Sequence, residues 1–283
     1  MKKNYEELTF HDDFMFCKVL QNNPDLCQEL LELILGDEVG KLLEIDRQKP
    51  IEITADGRGV RFDVYAKDDR STVYDIEMQN AKQPLLAKRA RYAQSLMDLE
   101  QLERGDSFGE LKRSYVIFIC NFNLREDGLR HRYSFRNLCV EDPSIPLEDG
   151  TEKIFLCTES SEPNISPRMK SFLSYVAGNS PVDDFTQKLE TAVGTAKKNP
   201  RWRKEYMDFR DYLEDAREEG RVEGREEGRE EGRKEGRAEG RAEGRAEGRA
   251  EERENTEREK KRADKAEKEL AAALARIAEL EKD

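Results

Sequence analysis

Two short segments, VRFDVYAK (60–67) and TVYDIEMQ (72–79), carry the residue types best suited to chemistry. In the first, Val60, Phe62, Val64 and Ala66 alternate with Arg61, Asp63, Tyr65 and Lys67. In the second, Tyr74, Ile76 and Met78 alternate with Asp75, Glu77 and Gln79. Period-two alternation predicts strands with one face in the core, and the intervening DDRS is turn chemistry. A hairpin centred on Arg70 sets Asp63 directly across from Glu77, with Cβ atoms about 5 Å apart. Two ionised carboxylates so placed repel, and a hard divalent cation removes that cost. Mg²⁺ takes one or two carboxylates at about 2.1 Å and keeps several waters and phosphate oxygens, with Mn²⁺ as a substitute. The backbone carbonyl of Met78 offers a further ligand, and Gln79 can orient a bound water. The competing reading is a solvated outer sheet face that merely carries acids, and spacing alone slightly favours it.

These strands need a scaffold, and composition shows where it lies. Of 283 residues, 36% are hydrophobic and 40% charged, but the charge is uneven: residues 216–283 hold 41 ionisable side chains in 68, residues 1–215 only 71. The chain therefore divides into a foldable body, large enough for one large or two small cores, and a polar tail. No stretch approaches the roughly 20 apolar residues of a membrane span, so no membrane partner is expected. MKKNYEELTFHDDF has two lysines but no apolar run behind them, so no secretory signal is expected. Five cysteines, an odd number with none in CxxC spacing, speak against structural zinc and a disulfide framework. Reduced thiols and a cytoplasmic location follow. A net charge of −12 argues against charge-driven, non-specific nucleic-acid binding, so any such contact must use a local basic patch.

In chain order, a helix is expected over 12–20 and a second from Asn23-Pro24, where Leu26, Leu30, Leu33 and Ile34 repeat before Gly36 stops the run. Strand-like text covers 51–54, 60–67 and 72–79. A helix is expected over 81–104, with Leu85, Leu86, Tyr92, Leu96 and Leu99 as candidate core positions. SYVIFICN (114–121) reads as a strand buried on both faces. Weaker strands follow around 132–140 and 153–157, then helices from Pro167. The last begins at Asn199-Pro200, with Trp202, Tyr206, Phe209, Leu213 and Ala216 as a packing face. The layout is mixed α/β.

In the tail, glycine recurs at every fourth position from Gly220 to Gly248, each preceded by Glu and followed by Arg. Glycine costs a helix about 1 kcal/mol relative to Ala, and the i,i+4 pairs are Glu with Glu and Arg with Arg, which repel. An isolated helix is therefore disfavoured. Two alternatives stand: a solvated, disordered segment, or helices that approach closely at glycine with the Arg stripe of one chain facing the Glu stripe of another. Beyond it, Ala263, Ala266, Leu270, Ala273, Ile277 and Leu280 follow three-four spacing over a short coiled-coil-like stretch. This favours self-association, a homo-oligomer through the tail.

Asp63, a turn, then Glu77-Met78-Gln79, a helix and the strand SYVIFICN together resemble the PD-(D/E)XK nuclease core, and more narrowly the Rpn-type recombination-promoting nucleases and transposases. FHDDFMFCKVL resembles that family's opening helix. The resemblance spans roughly residues 9–215, with the repeat tail as added support. It implies a restriction-endonuclease-like mixed sheet flanked by helices, a nuclease core over 1–165, a helical part over 166–217, the repeat over 218–250 and a short helix over 251–283. It also implies Mg²⁺-dependent hydrolysis of DNA phosphodiester bonds, with DNA as partner. Asp63, Glu77 and Gln79 are then catalytic, and Asp63, Glu77 and Met78 hold the metal. Lys82, Lys88, Arg89 and Arg91 are candidates for DNA contacts, against the reading of an ordinary solvated helix face. Phe62 stands where the superfamily has proline, and Gln79 where it has lysine. A neutral amide cannot supply positive charge or take a proton, so Lys82 is a candidate for the missing charge. The alternative function is a degenerate nuclease fold kept as an oligomeric DNA-tethering or protein-interaction module.

Overall fold

The computed structural model describes residues 3–47, 50–51, 60–126, 128–163 and 165–280. These divide into two compact units, Met1–Asp208 and Phe209–Asp283. The first opens with α1 (Asp13–Asn22) and α2 (Pro24–Leu35). Asn23 and Pro24 sit at the cap and first helical position of α2, and Gly36 ends it at a φ of +67°, a backbone region glycine enters without steric cost.

Strands β1 (Leu42–Arg47), β2 (Pro50–Ile51), β3 (Val60–Arg61), β4 (Val64–Asp68) and β5 (Val73–Gln79) follow, then α3 (Leu86–Gln101), β6 (Ser114–Cys120), β7 (Arg132–Phe135) and β8 (Thr151–Cys157). Helices α4 (Pro167–Val176), α5 (Asp184–Lys197) and α6 (Pro200–Leu280) complete the order. Of the expected strand over 51–54, only Ile51 lies within the described residues. Six strands form one mixed sheet in the order β1-β4-β5-β6-β8-β7, and β2 pairs with β3 in a separate ribbon. β1, β4 and β5 run antiparallel, β5-β6-β8 are parallel, and β7 is an antiparallel edge. This is the mixed α/β sheet flanked by helices that the sequence predicts.

Both faces of the sheet are covered. Tyr74, Ile76 and Met78 share one face of β5, where α1 packs and Tyr74 stacks on Tyr115 at 5.6 Å. The other face carries Val73, Val116, Phe118, Cys120, Phe155 and Cys157, buried under Leu86, Ala90, Ala93, Leu96 and Met97 of α3. By register, Asp75, Glu77 and Gln79 lie on this α3 face, paired with Val116, Phe118 and Cys120. The acidic face of β5 is therefore interior, not a solvated outer surface.

Three expectations need correction. The strand over 60–67 breaks at Phe62-Asp63, so Phe62 joins Tyr65 in the α3-side cluster instead of sharing a face with Val64 and Ala66. α3 starts five residues later than expected, because Pro84 and the left-handed Leu85 (φ +74°) interrupt the helix. Leu85, Tyr92 and Leu99, expected in the core, are exposed along the outer face of α3. Their seven-residue spacing is as helical as that of the inner row, and tertiary contacts alone choose between them.

Of the five cysteines, Cys17, Cys27, Cys120 and Cys157 are buried and Cys139 partly so, all unpaired. Where α6 lies within the first unit, Tyr206 packs on Tyr5 and Phe14, so that part of the stripe is a packing face. The side chains of Leu213 and Ala216 lie outside the described residues. No helix among the described residues is long and apolar enough to cross a membrane.

In the second unit α6 is helical throughout its described length. Its ion pairs Arg221–Glu218 and Lys234–Glu230 draw on the variable residue of each tetrad rather than on the repeating Glu. These contacts offset part of the repulsion that disfavours an isolated helix. Where a Cβ would stand on each of the glycines from Gly220 to Gly248 there is open space, so no contact with another described residue calls for glycine.

Candidate active site

The β4–β5 hairpin has the register read from the sequence, with Val64 opposite Ile76 and Lys67 opposite Val73, centred on Arg70. In that register Phe62–Met78 would be the next hydrogen-bonded pair after Val64–Ile76. The ladder stops first. At the fork, the Met78 N–H donates to Asp63 Oδ2 at 3.1 Å, and the Asp63 N–H donates to Glu77 Oε1 at 3.3 Å. The two carboxylates are thus stitched together across the fork, each by the other strand's backbone. Because N–H and C=O of one residue share an edge of a strand, the Met78 carbonyl also faces the side from which β4 departs.

Glu77 is 2% exposed, while Asp63 keeps part of its surface open. Burial holds the Asp63 carboxyl well above the usual carboxylate range, and the charges of Glu77 and Asp13 push the same way. Burial likewise raises Glu77, against the opposing pull of Arg89. Asp75, two residues before Glu77, is fully buried, and its oxygens meet no N–H or hydroxyl donor among the described residues, so it can bond only to the Glu77 carboxyl, and only when one of the two is protonated. Burial lifts its carboxyl far above normal, with Glu77 and Asp63 adding to the effect.

Arg89, in the first turn of α3, reaches down into this group. Its Nη2 pairs with Glu77 Oε2, its Nη1 donates to Gln79 Oε1 at 3.1 Å, and the guanidinium carbon lies 5.7 Å from the Phe118 ring centre. Gln79 is oriented by a second bond, from its Nε2 to the Ala81 carbonyl at 2.9 Å. At the rim, Asn80 donates to the His11 carbonyl at 2.6 Å and to Asp13 Oδ1 at 3.1 Å, tying the start of α1 to the end of β5.

The fork therefore brings Asp63, Glu77, Met78 and Gln79 together. Lys82, Lys88 and Arg91 are exposed on the adjoining loop and helix without an ion pair to another described residue, whereas Arg89 turns inward. Two participants escape a reading of the hairpin alone. Asp75 sits on the Glu77 face, but alternation cannot tell a buried acid from a solvated one. Asp13 is signalled only by HDDF in the opening helix.

Four carboxyl groups, Asp13, Asp63, Asp75 and Glu77, face one guanidinium, and the Asp75 oxygens, which no N–H or hydroxyl of a described residue reaches, mark an unbalanced interior. Among the described residues no three His, Cys, Asp or Glu side chains form a complete metal-holding group. Two carboxylates and a carbonyl suit a hard cation that keeps most of its waters, such as Mg²⁺, and not a four-ligand zinc site. The residues fit. A surface cleft of about 890 Å³, lined by Pro24, Glu29, Lys188 and Trp202 among others, shares no residue with the fork.

Residues 11–156 match the sequence profile of the PD-(D/E)XK nuclease family transposases, a span covering more than half of the chain. The chain belongs to this family. Its six-stranded sheet is accordingly restriction-endonuclease-like, and the family places the chain among nuclease-type proteins. The matched span of this PD-(D/E)XK family member contains α1, the whole hairpin, α3 and all but the last residue of β8. It thus includes every residue of the fork. No curated protein and no solved structure matches the chain.

Proposed function

We propose that the protein is a Mg²⁺-dependent DNA endonuclease acting in recombination or transposition, with Mn²⁺ able to replace Mg²⁺. The observation that carries this reading is the convergence of Asp63 and Glu77 where β4 leaves β5. Asp63, Glu77 and the Met78 carbonyl would hold the cation, which when bound supplies Lewis-acid stabilisation of phosphate charge and lowers the pKa of water. Gln79, fixed by Ala81, positions the attacking water through its amide. A water oxygen bonds to phosphorus as the P–O bond to the leaving sugar oxygen breaks. One water proton ends on that alcohol, and the other stays with the new phosphate monoester or passes to solvent. Lys82, Lys88 and Arg91 contact backbone phosphates outside the cleaved bond, where exposed cations set register and carry no base information.

On this reading the nuclease core occupies 1–165 and 166–217 completes the body. The repeat over 218–250 and the helix over 251–283 form a tail that joins copies of the chain. Eight glycines with no packing role of their own cost a helix several kcal/mol, a cost that close approach of a second helix offsets. Plasmid nicking in Mg²⁺ tests the chemistry. Asp63→Ala and Glu77→Ala should each abolish it with the circular dichroism spectrum unchanged; two variants that cut as well as wild type would refute the assignment.

A further inference from the structure

The superfamily's lysine position holds Gln79 here, and the structure brings a different cation to the same place. Arg89 contacts Glu77 and Gln79 at once, from α3, the helix that covers their face of the sheet. Its position is not explained by helix preference. A cation in the first turn of a helix opposes the helix dipole, and here it faces a side chain almost wholly removed from water. Three features hold the guanidinium in place: the Glu77 carboxylate, the Gln79 amide oxygen and the Phe118 ring beneath it. Lys82, the sequence-level candidate for this charge, is exposed in the loop before α3 and makes no ion pair with a described residue.

We propose that Arg89 supplies the fixed positive charge that Gln79 lacks, directed at the phosphate undergoing hydrolysis, and that in the resting protein this charge is held by Glu77. The proposal rests on the hydrolytic reading above. A guanidinium stays protonated throughout the accessible pH range. Arg89 therefore cannot act as a general base. It stabilises charge that develops on the phosphate oxygens, and its planar fork suits two oxygens at once. Held against Glu77, it also competes with any cation that binds there. Two consequences follow with opposite signs: loss of Arg89 weakens turnover and strengthens metal binding.

The experiment uses full-length protein with Arg89→Met, which keeps an apolar stem over Phe118, alongside Arg89→Lys and the double variant Arg89→Met/Gln79→Lys. Plasmid cleavage in Mg²⁺ is measured together with Mn²⁺ affinity by titration calorimetry without DNA. Arg89→Met should lower kcat about 10²–10³-fold, the usual loss for one preorganised charge-stabilising donor, with KM within a few-fold. It should bind Mn²⁺ about tenfold tighter, since a unit charge a few Å away is removed. Arg89→Lys should regain part of the rate, and Gln79→Lys in the Arg89→Met background at least tenfold, because the charge returns from the strand. A merely structural Arg89 predicts neither the tighter Mn²⁺ binding nor the rescue from position 79. Wild type that cuts while Arg89→Met cuts equally, or a folded double variant no faster than Arg89→Met, overturns the role of Arg89 alone. Wild type that binds Mn²⁺ without cutting DNA overturns the hydrolytic reading and this role with it.

Discussion

Asp63→Asn should make the metal-free protein more stable while removing its response to Mg²⁺. Asparagine keeps the length of the side chain and an oxygen for the Met78 N–H, now accepted by Asp63 Oδ2 at 3.1 Å. Only the charge is lost. Opposed carboxylates about 5 Å apart repel by about 3 kcal/mol at an effective dielectric of ~20 if both are fully ionised. Two effects reduce this. Arg89 pairs with Glu77 and neutralises part of its field, and burial raises the pKa of both acids, which favours their uncharged forms. About 1 kcal/mol of relief remains, which for a domain of this size corresponds to a Tm higher by roughly 2–4 °C. The single tryptophan, Trp202, lies in the first compact unit, so its fluorescence reports on the body and not the tail. Melts at pH 7.5 in EDTA and low salt give the first comparison, and melts in Mg²⁺ the second. Binding at 100 times Kd stabilises by about 2.7 kcal/mol, so wild type should gain several degrees in Mg²⁺ and the variant almost none. A variant that melts below wild type in EDTA, or one that Mg²⁺ stabilises equally, would show that the fork is not a site of opposed charge.

Two further outcomes are expected. Asp63, Asp75 and Glu77 all have raised pKa values in the fold. The metal-free native state therefore binds more protons than the unfolded chain, and their contribution to stability is full below about pH 4 and is lost as pH rises through the raised values. Asp75→Asn should accordingly gain stability relative to wild type as pH increases from about 4 to 8, measured by urea unfolding in EDTA; a constant difference across that range contradicts the assigned shift. Light scattering should give a larger particle for the full chain than for a chain ending at Glu214. Equal numbers of copies in the two would refute tail-driven association.

The alternation in 64–67 and 73–79, the turn at DDRS and the unbroken run at 114–121 are local properties, and each appears in the fold in the register expected. Pairing Asp63 with Glu77 needed only a hairpin centred on Arg70. The chain's split into a body and a charged tail likewise follows from where the ionisable residues fall. The break at Phe62-Asp63 is different, because it depends on β3 joining β2 while β4 joins β1 and β5. So is the burial of Asp75 and Glu77. Period two places both on one face of β5, but whether that face meets water is decided by α3, which packs there over β5 together with its neighbours β6 and β8. Arg89 belongs to the same class. On its own helix it is one cation among Lys88, Arg89 and Arg91, and only the crossing of α3 over Phe118 turns it toward Glu77. Side-chain periodicity is written in neighbouring residues, whereas the charge state of an acid and the aim of a cation depend on what distant segments bring over them.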